Sequence, residues 1–405
     1  MMMRYLTSGE SHGKALVGIL EGIPSGLPLT FEMIQSQLRR RKMGFGRGAR
    51  QQIETDQVEI LSGVRHGLTL GSPISLLIWN QDWKNWENIM SVETSLEGAG
   101  DSATNLGSPA NSHRNREVKI PRPGHADLVG GIKYGHSDMR NVLERASARE
   151  TAIRVGIASV ARRLLTEIGI EISSRVVAIG EVRDTQELEI SAEEMTQRAD
   201  ASSVRVLNPE AENKMRAAIE RAKTSGETLG GEFEVIATGI PTGLGSYVQW
   251  DRRLEAEIGR SFLSLNATKG VQIGLGFEAS RLPGSQAHDE IFPGDRPGSV
   301  RFETNRAGGI EGGMSTGQTL RVRAAMKPLA TLMEPLRSVH LESGQACLAH
   351  VERSDVCAVP SAAVIGESLL ALVLAEAVLH KFGGDSLVEL RSRVKDWNER
   401  TPIQN

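Results

Sequence analysis

Cysteine is almost missing from this chain of 405 residues: Cys347 and Cys357 are the only two. That count excludes a disulfide framework and a cysteine-built zinc site, and both thiols read as buried and reduced. An excess of either charge is also missing. The formal net charge is -3, so bulk electrostatics point to neither a nucleic-acid nor a membrane partner. The opening Met1-Met2-Met3-Arg4-Tyr5 has no apolar stretch, so no signal peptide is expected. The most apolar long segment, Ala362 to Leu379, carries Glu367 and Glu376 and reads as a buried helix, not a membrane span. A soluble cytoplasmic protein follows. No spacing of histidines and carboxylates matches a metal site, and none is expected. Aromatic residues are few while glycine is abundant, at 43 residues. A chain of that kind makes many tight turns and builds binding sites from loops and backbone amides.

What is present begins with a degenerate repeat. Val17 to Leu27 ends in Gly-Ile-Pro-Ser-Gly-Leu, and Phe233 to Leu244 ends in Gly-Ile-Pro-Thr-Gly-Leu. Each copy reads as a strand, a turn and then an amphipathic helix, over Thr30 to Arg41 and Leu254 to Leu265. Each is followed by a Gly-rich strand segment, Ile60 to Ile78 and Asn305 to Ala325. Two copies suggest a pseudo-twofold fold, since a solenoid needs more. Between the halves, Ile153, Ile157, Val160, Leu164 and Ile168 share one face of a helix spanning about 146–168, with Gly169 as its C-cap. Residues Glu187 to Lys223 read as charged surface helices. The polar stretch Asn80 to Lys119 has no periodicity and reads as a long mobile loop, of a length typical of lids.

Several groups could carry chemistry. His12 sits between glycines in Gly9-Glu10-Ser11-His12-Gly13, and His125 follows Arg122-Pro123-Gly124. Histidine is the side chain suited to proton transfer near neutral pH. Taken alone, however, a loop histidine is more often a surface residue. Arginines cluster at Arg39 to Arg41, at Arg47, at Arg145 with Arg149, and at Arg353 two residues before Asp355. Guanidinium forks suit carboxylates and phosphates, and surface ion pairing is the competing use. Asn305 to Met314 is a Gly-rich loop matching neither a Walker A nor a dinucleotide fingerprint. Lys327-Pro328-Leu329-Ala330-Thr331 ends the strand that follows it.

The order of these motifs resembles the chorismate synthase family. The similarity runs from Arg4 to about Lys381 through Gly-Glu-Ser-His-Gly, Arg41 with Arg47, Pro-Gly-His-Ala-Asp, the run 145–152, Asn266-Ala267, Ala307 to Gly313, Lys327-Pro328, and Arg353 to Cys357. The resemblance implies an α+β fold, a single-domain β-α-β sandwich over 1–405, with 80–119 as a loop inside it and 383–405 as a C-terminal tail. It implies a homotetramer that eliminates phosphate from 5-enolpyruvylshikimate 3-phosphate, using reduced FMN without net redox change. It gives His12 the role of general acid at the phosphate. His125 would protonate the reduced flavin, and Asp355 would help the flavin receive the substrate proton. Arg41, Arg47, Arg122, Arg145 and Arg353 match positions contacting substrate or NADPH. Arg145, Ala146, Ser147, Asn266, Ala267, Gly312, Lys327, Pro328, Leu329, Ala330, Thr331 and Arg353 match flavin contacts. The chain departs from the family pattern at Ala146, at Leu329-Ala330 and at Ser354, where hydroxyls or a histidine are often found. An NADPH-dependent FMN oxidoreductase on the same scaffold stays open as a second reading, as does a separate flavin reductase as partner.

Overall fold

The computed structural model describes residues 3–48, 53–93, 117–186, 190–352 and 354–403. The first half runs β1 (Arg4–Ser8), β2 (Ala15–Glu21), α1 (Phe31–Lys42), β3 (Val58–Ser62), β4 (Ile74–Trp79), α2 (Asp127–Tyr134), α3 (Arg140–Ala146) and α4 (Thr151–Thr166). The second runs β5 (Glu171–Ile179), α5 (Ala192–Ala201), α6 (Pro209–Thr224), β6 (Gly231–Thr238), α7 (Leu254–Leu263), β7 (Thr268–Ile273), β8 (Leu320–Met326), α8 (Val359–Phe382) and α9 (Leu387–Arg400). One antiparallel sheet has the order β1-β2-β4-β3. The other has β5-β6-β8-β7, with the short strand Val182–Arg183 added beside β5. The two orders are the same, strand for strand. Helices α1, α4, α7 and α8 form the layer between the sheets, and one apolar core joins both halves. This is the β-α-β sandwich expected.

The repeated turns are alike down to single hydrogen bonds. Thr69 Oγ1 donates to the Pro24 carbonyl at 2.6 Å and accepts from Leu27 N at 2.9 Å. Ser315 Oγ donates to the Pro241 carbonyl at 2.6 Å and accepts from Leu244 N at 2.8 Å. In each half a hydroxyl from a distant hairpin thus satisfies the backbone of a Gly-Ile-Pro turn that has no ladder of its own.

Local chemistry explains the helices of the central layer. Thr30 caps α1 by accepting from Met33 N, Glu32 lies in its first turn, and Arg39 to Lys42 lie in its last; each complements the helix dipole. Helix α8 is apolar on every side because sheet and helices surround it, and Pro360 sits in its first turn. It is long and apolar enough to cross a membrane by composition, yet it is buried within the protein. A methyl group at Gly18 of β2 would overlap Ile153 and Ile157 of α4. Glycine there lets helix and sheet pack closely.

Three boundaries differ from expectation. The single helix expected over 146–168 is broken: Ser147 is extended, caps a 3-10 turn over Ala148–Glu150, and separates α3 from α4. Gly169 follows α4 with φ +84. The 383–405 tail contains α9, started by a capping box in which Ser386 and Glu389 exchange hydrogen bonds. Of the 80–119 stretch, Gln81–Asn85 forms a 3-10 turn, while residues 94–116 lie outside the described residues. The two cysteines are free thiols; Cys357 is buried, as expected, but Cys347 is only half-buried.

Candidate active site

A cavity of about 590 Å³ opens at one end of the helical layer, lined by residues of both halves. The starts of α4 and α8 line it through Thr151 and Ser361, and the ends of α1 and α7 line it through Arg41 and Leu263. Two helix N-termini therefore point positive dipole ends at one space. His12, His125, Asp355, Arg41, Arg47 and Arg122 all reach this cavity, although they are scattered through the sequence.

His12 follows β2's partner strand, on the turn after β1. Its Nδ1 lies 2.9 Å from both carboxylate oxygens of Glu144, and its backbone N–H donates to Glu144 Oε2 at 2.8 Å. Glu144 is fully buried and also accepts from Arg140 at 3.0 Å. Burial pushes the Glu144 carboxyl up, but hydrogen bonding and charge from His12, with the Arg140 charge, outweigh it and leave its pKa below the ordinary value. The imidazole stacks on Trp86 with ring centroids 3.8 Å apart.

His125 has a parallel arrangement. Its Nδ1 lies 2.5 Å from Asp127 Oδ1, and Asp127 Oδ2 accepts from Arg122 Nε at 2.8 Å. Burial pushes Asp127 up, but bonds to His125 and Arg122 win and hold it well below the usual carboxylate range. Arg122 also donates to Thr331 Oγ1 at 2.9 Å. Asp355 accepts from Gly48 N at 2.6 Å and pairs with Arg47 at 2.9 Å, so loops 44–48 and 354–357 close one wall together.

Arg41 is buried against Thr151 Oγ1 and Asp56, at 3.1 Å each. Burial lowers its pKa to about 10, with Asp56 opposing the drop; it stays cationic at neutral pH. Arg149 binds Asp56, Glu54 and the Asn80 side chain. These two arginines thus belong to a buried ion cluster at the cavity wall.

Of the expected flavin contacts, Ala146, Ser147, Asn266, Ala267 and the run Lys327, Pro328, Leu329, Ala330, Thr331 line the cavity. Asn266 Nδ2 donates to the Ala146 carbonyl at 2.8 Å, tying the halves together. Ala267 holds φ +65, unusual for a residue with a Cβ. Arg145 is not brought to the cavity: its guanidinium donates to the Thr7 and Gly9 carbonyls instead. Gly312 lies apart too, with φ +59 at the turn of the hairpin 310–315. Arg353 lies outside the described residues. Among the described residues, no group of three or more His, Cys, Asp or Glu is placed to hold a metal ion.

The sequence profile of the family described as chorismate synthase matches residues 3–379. This chain belongs to the chorismate synthase family. It is 49% identical over 399 residues to the chorismate synthase of Listeria welshimeri, covering 98% of this chain and 99% of that one. Against the chorismate synthase of Brevibacillus brevis the identity is 50%, with the same coverage. A crystal structure of chorismate synthase is similar at a TM-score of 0.76 and 40% identity, covering 98% of each chain. Membership makes the chain an enzyme, a carbon-oxygen lyase.

Sequence reasoning missed several residues of this chorismate synthase family site. Glu144 and Asp127 anchor the two histidines, Arg140 braces Glu144, and Trp86 covers His12. Asp127 stood two residues from His125 and was the easiest to find. Glu144 lies 132 positions from His12, and only the fold joins them.

Proposed function

We propose that this chain catalyses the 1,4-anti elimination of phosphate from 5-enolpyruvylshikimate 3-phosphate, giving chorismate, with reduced FMN bound in the same cavity. The observation carrying this reading is one cavity reached by two carboxylate-anchored histidines and more cations than anions. Arg41, Arg47, Arg122, Arg149, Lys269 and Lys327 face it, against Glu352 and Asp355. A substrate with two carboxylates and a phosphate needs such an excess.

The lining also fits a flavin. Met326, Leu263 and Ile365 offer apolar surface beside Asn266, Ala267 and the backbone of 327–331. These residues would hold the ring, and cationic side chains suit the cofactor phosphate. Arg353, Arg145 and Gly312 belong to the same reading on resemblance alone. Held there, reduced FMN would supply transient electron density for the loss of phosphate, with no net redox change. His12 donates a proton to the departing phosphate. His125, fixed by Asp127, holds a proton on the flavin side. Asp355, paired with Arg47, assists removal of the C6 hydrogen.

The same reading makes the protein a cytoplasmic homotetramer of single-domain chains, with NADPH or a separate reductase renewing the flavin. Leu6 and Ile19 support the assembly: they pair across β1 and β2 and are 76% and 44% exposed. Anaerobic protein given chemically reduced FMN and substrate should release phosphate without consuming NADPH. No release refutes the elimination; steady NADPH oxidation without substrate would favour the oxidoreductase. His12→Ala should slow release by at least about 10²-fold.

A further inference from the structure

We infer that Glu144 is a positioning residue that fixes the His12 ring through Nδ1 and leaves Nε2 for the ligand. The inference rests on the proposed role of His12 as general acid. Two donors from residue 12, the backbone N–H and Nδ1, meet the same carboxylate at 2.8 and 2.9 Å. That fixes the ring's position as well as its proton. A buried carboxylate accepts only, so Nδ1 must carry a hydrogen. Nε2 has no hydrogen-bond partner among the described residues and is the ring atom available to a ligand. A general acid must deliver its proton from a fixed position, and Nε2 is the atom this anchoring leaves for that. On donation the proton leaves Nε2 for a phosphate oxygen. The ring is left neutral, with its remaining proton still on Nδ1.

The other charges around the ring leave this anchor in place. Arg140 binds Glu144 at 3.0 Å and Glu352 at 3.7 Å, so part of its charge is spent on a second carboxylate. Across the cavity Arg41 and Arg149 are paired with Asp56, and Arg47 with Asp355. Asp82 is engaged by Trp86 Nε1 at 2.9 Å, and Glu10 on the same turn adds negative charge. Glu144 is buried and in direct contact with the ring, and Coulomb attraction is strongest for such a pair.

Trp86 gives this arrangement its own optical readout. Its ring lies 3.8 Å from the imidazole with an interplanar angle of 24°, and a stacked imidazolium quenches indole emission more than a neutral imidazole does. The difference in fluorescence between the full-length protein and its Trp86→Phe variant therefore reports whether the His12 ring is held on the indole, without substrate or flavin. Glu144→Ala should relieve the quenching toward the level of His12→Ala. It should also lower kcat for phosphate release by about 10-fold or more with KM little changed, and Glu144→Asp should restore most of both. Wild-type quenching and wild-type kcat in Glu144→Ala would overturn the inference. Should Glu144→Ala fail to fold, Glu144→Gln is read in the same way, and wild-type kcat there overturns it. A wild-type protein that releases no phosphate would sink the proposed function, while the fluorescence difference would still decide the role of Glu144.

Discussion

At the scale of residues, the site consists of ionisable groups held by partners of opposite charge. Glu352 shows what this means for stability. Burial raises its pKa, but a hydrogen bond from His350 and the charges of Arg122 and Arg140 win, leaving it at about 2. An unfolded glutamate titrates near 4.3. The folded value is the lower one, so Glu352 contributes stability that is fully present above about pH 4.3. That contribution is lost as pH falls toward about 2. Urea midpoints measured at neutral pH and near pH 3 should fall further for wild type than for Glu352→Gln; equal falls would refute the assignment. Residues such as these were only partly legible in the sequence. His12, His125 and Asp355 stood out because glycines and arginines flank them. Glu144, Arg140 and Asp56 did not, since a charged residue in a helix or loop reads as a solvated face until its distant partner is known.

At the scale of elements, the helical layer carries an unusual polar knot. Glu367 lies fully buried in the middle of α8 and is bonded by Arg40 of α1, Arg162 of α4, Ser174 of β5 and Arg205. Burial pushes Glu367 up, but the arginines outweigh it and hold it far below the ordinary range. The knot ties the end of α1 to α8, and Arg41, the next residue after Arg40, reaches the cavity from that same end. Glu367→Ala should cost about 3–5 kcal/mol by leaving buried guanidinium groups unpaired, read as a lower denaturant midpoint. A loss below about 1 kcal/mol would show that water already screens them. Strands β2, β6 and β8, the segment holding β3 and β4, and the helices α1, α7 and α8 were legible from periodicity and turn residues; β1, β5 and β7 carried no such signal and were not singled out. The break at Ser147 was not legible, because Arg145-Ala146-Ser147-Ala148-Arg149 holds no glycine or proline to mark it. Helix α9 was missed although Ser386 and Glu389 carry the spacing of a capping box; its first turn was read as part of a tail.

At the scale of the whole molecule, the expected repeat proves to be a matching of whole sheets, strand for strand. Turn sequences exposed it, because backbone geometry constrains a Gly-Ile-Pro turn more tightly than packing constrains a strand. The outer face of the first sheet leaves Leu6 and Ile19 to solvent in a single chain. Assembly through this face predicts that Leu6→Asp lowers the sedimentation coefficient and dissociates the oligomer; an unchanged particle would place the contact elsewhere.

The cavity's lining by both halves of the repeat has a historical consequence. If one ancestral half-length chain once paired with its own copy, the space between the copies had two identical walls. It could then have treated only one kind of ligand, twice over. Once both copies were joined in one chain, each wall became free to change alone. The first half now brings the histidines His12 and His125 with most of the arginines, and the second brings Asn266, Ala267, Met326 and the backbone beyond it. A site for two dissimilar molecules, an acidic substrate and a flat cofactor, is what such a divorce of duplicated walls permits.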